Sequence, residues 1–199
     1  MRNILGMILI CWAGMASADT VAPPLPALYT VSGVAADDVL NIRVDPDGAA
    51  QIRGSLPPDG PAVEVTGFSR EGNWARINHG EGAGWVALRF LTRDSAPPAP
   101  ADLTCFGTEP FWDIAFDGDD SLRFSTPDRA QSHPITSPLP VSWIGAEGFT
   151  GLRFTWTRDA TPVTALILPG QCSDGMSDRL YALHYVETTG GLTGCCSLN

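Results

Sequence analysis

The chain has no lysine: its 12 basic residues are all arginine, against 22 acidic ones, for a formal net charge of -10. That balance argues against nucleic acid or an anionic membrane surface as partner, because both are bound through clustered positive charge. It suits solubility, and it would also suit a basic protein partner. Histidine is scarce, with 3 in the chain. His79 sits beside Gly80 in an expected loop, His133 precedes Pro134, and His184 falls within a β-rich run. None follows a serine elbow or a cysteine nucleophile motif. Cysteine is missing between Cys11 and Cys105, so no bridge can staple that stretch. Beyond Met15 no apolar run approaches the roughly 20 residues of a membrane-crossing helix, and no segment sustains a helical period.

What is present begins with an address. Arg2, the apolar run Ile4 to Met15 and the small residues Ala16-Ser17-Ala18 have the order of a secretory signal peptide over residues 1–18, leaving Asp19 first. The residue before Cys11 is Ile10, where a lipid-attachment motif needs a small residue, so soluble export to the periplasm or beyond is expected. In that oxidising setting Cys105, Cys172, Cys195 and Cys196 form an even set of disulfide candidates. A bridge between the adjacent Cys195 and Cys196 would be strained, so Cys105 and Cys172 should each take one of them, in either order. No C-x-x-C pair or histidine at ligand spacing accompanies them, and neither a metal nor another cofactor is expected.

Two proline-rich stretches divide the chain. Residues 19–28, with Pro23, Pro24 and Pro26, read as an extended tether, and residues 93–102, with Pro97, Pro98 and Pro100, as a stiff linker. The units between and after them cover residues 29–92 and 103–199. Both read as all-β. Short β-rich runs alternate with turn signals such as Asp45-Pro46-Asp47-Gly48 and Pro57-Pro58-Asp59-Gly60. Runs in the second unit cover Phe111 to Phe116, Leu122 to Ser125, Val141 to Ile144, Leu152 to Thr157, Thr164 to Leu168 and Leu180 to Glu187. Asp117-Gly118-Asp119-Asp120 lacks the spacing of a calcium loop and reads as a hairpin turn.

The first unit carries Leu40-Asn41-Ile42-Arg43, then Gly72-Asn73-Trp74, then Gly84-Trp85-Val86 and Phe90-Leu91. This succession resembles the bacterial SH3-type domains over roughly residues 29–92. The resemblance implies a small β-barrel that binds cell-wall peptides or an envelope protein. Ile42, Val63, Val65, Ile77, Val86 and Leu88 can fill one core, with Trp85 expected to join them. Alternation after Asn73 puts Trp74 and Arg76 on one face and Ala75 and Ile77 on the other. If Ile77 points inward, Trp74 points outward. Beside Asp45 and Asp47 of the preceding loop, Trp74 and Arg76 then become the candidate ligand-binding residues.

The second unit opens on Cys105-Phe106-Gly107-Thr108-Glu109-Pro110-Phe111-Trp112, continues through Cys172-Ser173-Asp174-Gly175-Met176-Ser177-Asp178, and closes on Gly194-Cys195. These motifs resemble a family of uncharacterised bacterial envelope proteins, which implies a disulfide-stapled, barrel-like β-domain and no established activity. Trp112, Ile114 and Phe116 share one face and belong in its core. Glu109, Asp174, Ser177 and Asp178 could gather at a rim as an acid/base pair or a cation site. Asp174-Gly175 is equally a turn signal, and the neighbouring side chains can cap backbone donors. The expected function is non-catalytic binding in the envelope. The alternatives are an acidic inhibitor of a basic, lysozyme-type cell-wall hydrolase and an accessory of a peptidoglycan hydrolase.

Overall fold

The computed structural model describes residues 24–94, 102–117, 120–137, 143–144 and 151–198. The expected signal peptide, the first part of the tether, most of the linker, the tip of the Asp117 turn and Val141-Ser142 lie outside them. The regular structure of the described residues is almost all strand, sorted into two sheets. Among the described residues no helix is long and apolar enough to cross a membrane.

The first sheet is built from β1 (Ala27–Val31), β2 (Leu40–Arg43), β3 (Ile52–Leu56), β4 (Val63–Phe68), β5 (Trp74–His79), β6 (Gly82–Ala87) and β7 (Leu91–Arg93). Its order is β3-β2-β6-β5-β4-β1-β7. It wraps one core of Tyr29, Leu40, Ile42, Val65, Ile77, Val86 and neighbours, with Val63 and Leu88 packed at its edge. Period-two alternation produces this core: Leu40 and Ile42 turn inward from β2 while Asn41 and Arg43 turn out. Gly72, at φ 71°, supplies the left-handed turn between β4 and β5.

Three expectations change here. The tether ends before Pro26, since Pro26 and Ala27 are buried and β1 begins at Ala27. Trp85 is not core: Val86 takes the inward position on β6, and alternation forces its neighbour onto the outer face. His79 is the last residue of β5 rather than a loop residue.

The second sheet closes on itself. It comprises β8 (Leu103–Thr108), β9 (Phe111–Phe116), β10 (Ser121–Thr126), β11 (Arg129–Ser137), β12 (Trp143–Ile144), β13 (Gly151–Arg158), β14 (Thr161–Cys172), β15 (Tyr181–Glu187) and β16 (Thr193–Leu198). Pairing of β11 with β13 and of β16 with β8 makes an antiparallel eight-strand barrel, and the short β12 also pairs with the start of β13. Every second residue points inward, including Trp112, Ile114 and Phe116 from β9 and Leu152, Phe154 and Trp156 from β13. Their rings interlock, as in the edge-on contact of Phe116 with Phe154 at 5.1 Å between centroids.

Two bridges tie the closing strands. Cys105–Cys196 lies inside the barrel across the β8–β16 seam, and Cys172–Cys195 fastens the end of β14 to β16 on the outside. Adjacent cysteines on one strand point to opposite faces, so the doublet serves both sides of the wall.

The two sheets touch. Leu28 of β1 packs against the barrel core, and Glu64 Oε1, beside it in register, accepts the Leu198 N–H at 3.1 Å. Leu198 and Leu103 mark one end of the barrel, so the first sheet covers that end. The 173–180 loop docks on the β5–β6 hairpin. Asp178 exchanges backbone hydrogen bonds with Glu81 and Ala83, Arg179 donates to the Gly80 carbonyl at 2.6 Å, and Asn78 Oδ1 accepts the Leu180 N–H.

Candidate functional site

Outward alternation on β2 and β5 assembles a groove on the first sheet. Asn41 and Arg43 project from β2, Trp74 opens β5, and Arg89 and Phe90 follow β6 in a short 3-10 turn over Leu88–Phe90. Together with Asp38 they bound a cavity of about 700 Å³. Trp74 is half-buried along its wall and pairs in register with Ala87, which lines the same groove. The segment before it is held locally: Ser69 Oγ accepts the Trp74 N–H at 3.3 Å and donates to Asn73 Oδ1 at 3.0 Å. Arg43 donates to the Ala50 carbonyl at 2.6 Å, fixing the loop that forms the groove's far side. The Arg89 guanidinium lies 4.6 Å from the centre of the Phe90 ring.

The four candidate residues are only partly brought together. Trp74 lines the groove. Asp45 and Asp47 stand exposed on the neighbouring loop, of which Gly48 is the residue that reaches the wall. Asp47 Oδ1 is spent on its own turn, accepting the Ala49 N–H at 2.9 Å. Arg76 shares the outer face with Trp74 but faces the barrel. It donates to the Thr66 carbonyl at 3.1 Å and to Gln171 Oε1 at 2.7 Å, and burial lowers its pKa. Asn41, Arg43, Arg89 and Phe90 were not singled out as contacts. The alternation inside Leu40-Asn41-Ile42-Arg43 was the available signal for the first two.

The acidic residues of the second unit are held largely by local loop contacts. Asp174 Oδ1 accepts the Met176 and Ser177 N–H groups at 3.0 and 2.8 Å, and Oδ2 accepts the Ser177 hydroxyl at 2.8 Å. Burial pushes the Asp174 carboxyl up, but these hydrogen bonds and Arg179 outweigh it and hold the group below the usual range. Glu109 and Asp174 border the same shallow recess, whereas Asp178 is committed through its backbone to the first sheet. Among the described residues no group of three or more His, Cys, Asp or Glu is placed to hold a metal ion. Comparison with models of known protein families, with curated proteins and with solved structures finds no match.

Proposed function

We propose that this is a non-catalytic binding protein of the cell envelope, exported to the periplasm or beyond. Its first unit is read as an SH3-type module that takes an extended peptide, from the cell wall or from an envelope protein. The single observation that carries the reading is the groove at Trp74, where a large rigid aromatic face lies among the Asn41, Arg43 and Arg89 donors. An extended peptide offers a carbonyl every few ångströms to such donors, and its side chains can lie against the indole. Two disulfides and the signal-like residues 1–18 support an oxidising, extracytoplasmic location.

The test is calorimetric titration of the mature chain with peptidoglycan stem peptides, beside Trp74→Ala. Losing a central aromatic anchor removes about 2 kcal/mol, or roughly thirty-fold in affinity. Equal binding by parent and variant would remove the groove from the function. Inhibition of a basic lysozyme-type hydrolase without peptide binding would favour the inhibitor reading instead.

A further inference from the structure

The barrel end opposite the first sheet is open, and its chemistry is unlike a hydrophobic plug. Trp112, Phe124 and Leu192 form apolar walls, Phe111 stands 53% exposed at the rim, and the cavity measures about 1090 Å³. Arg158 projects into this end from the last residue of β13. Its guanidinium forms a two-pronged ion pair with Glu187, at 2.8 and 3.0 Å, and donates to the Gly190 carbonyl at 3.2 Å. It lies 5.7 Å from the Phe124 ring centre and 5.5 Å from that of Trp156. Glu187 is fully engaged, since it also accepts the Tyr185 hydroxyl at 3.0 Å and the Leu192 N–H at 3.1 Å. Three of the five Arg158 N–H hydrogens are thereby used among the described residues, which leaves donors for a bound acceptor.

A tightly packed indole fixes the apolar part of the same wall. Among the described residues the buried Trp112 Nε1 on β9 has no hydrogen-bond partner. Trp112 is 4% exposed and lines the cavity. Its indole occupies space that Gly107 keeps clear, because a Cβ there would stand 2.3 Å from Nε1.

Charge selects among acceptors. Glu187 already neutralises Arg158, and the rim sets Glu109, Asp128 and Asp159 against Arg129. An anion meets no net positive charge here and an acidic rim, while the N–H groups left on the paired Arg158 still offer hydrogen bonds to a neutral acceptor. We propose that the barrel mouth is a second binding site, for a small uncharged amphipathic molecule with an aromatic or aliphatic body and a carbonyl-type acceptor. The site is independent of the Trp74 groove.

The test titrates the mature chain with the neutral naphthyl ketone Prodan, following its emission shift, with anionic anilinonaphthalene sulfonate as comparison. The expected result is saturable binding of Prodan at one site per chain, with at least tenfold weaker binding of the anion. Thr126→Trp, which fills the mouth from the end of β10, should abolish Prodan binding with the melting temperature retained. Phe111→Ala should weaken it several-fold, and Trp74→Ala should leave it unchanged. No Prodan binding, equal binding of the anion, survival in Thr126→Trp, or loss in Trp74→Ala would each overturn the proposal.

Discussion

Glu187 has no water contact at its carboxylate, yet it anchors four donors: two prongs of Arg158, the Tyr185 hydroxyl and the Leu192 N–H. Burial, followed by the neighbouring Glu187 carboxylate, pushes the Tyr185 hydroxyl well above its ordinary range, so it remains a donor at any working pH. Truncating one partner of such a pair leaves the other charge desolvated and alone. Glu187→Ala is therefore expected to destabilise the barrel by about 3–5 kcal/mol, read from urea midpoints, while the exposed Arg129–Asp159 pair should give under 1 kcal/mol when broken. Arg76 offers the complementary check in the first sheet. Because its guanidinium reaches Thr66 and Gln171 rather than the groove, Arg76→Ala should lower the melting temperature modestly and leave peptide affinity within twofold. A large affinity loss in that variant would return Arg76 to the binding surface.

At the level of strands, the seam between β8 and β16 concentrates the stabilisation. Cys105–Cys196 closes a loop of 91 residues and Cys172–Cys195 one of 23, so loop-closure reasoning assigns them about 4–5 and about 3 kcal/mol. The paired variant Cys105→Ser/Cys196→Ser should accordingly lose more stability than Cys172→Ser/Cys195→Ser, measured by thermal unfolding without reductant. The reverse order would place the stabilisation outside the barrel. Much of this element was legible beforehand: Trp112, Ile114 and Phe116 at every second position mark the inward face of β9, and an even set of four cysteines after residue 100 suggests bridges. The pairing was not legible, because it depends on which face of β16 each half of the Cys195-Cys196 doublet presents. β11 also escaped, since Gln131-Ser132-His133-Pro134 is polar and proline-bearing, and only its place beside β10 and β13 makes it a strand. In the candidate groove, Trp74 was readable from alternation against Ile77, while Arg89 and Phe90 come from a 3-10 turn that no periodicity announces.

Across the whole molecule, the contact between the two sheets was the least readable feature, because it uses backbone edges and single polar side chains rather than a patterned apolar face. Its most informative member is Glu64. Desolvation between β4 and the end of β16 outweighs the Leu198 N–H that it accepts, and pushes the carboxyl up to about 7 from an ordinary 4.5. The sign of the consequence follows from proton binding. Below pH 4.5 the carboxyl is protonated in both folded and unfolded chains, and its contribution to stability is fully present. Between pH 4.5 and about 7 the unfolded chain releases this proton first, so stability falls as pH rises, and the contribution is gone above about 7. The whole change amounts to roughly 3 kcal/mol at most. Glu64→Gln holds the neutral form at every pH and should remove this slope: relative to the parent, the variant gains stability progressively from pH 5 to pH 8. Comparing urea midpoints of the two chains at each pH cancels the other titrating groups, provided they lie far enough from Glu64 to act independently. A constant difference between parent and variant across that range would mean that Glu64 titrates as a solvated carboxylate and that the two sheets do not close over it.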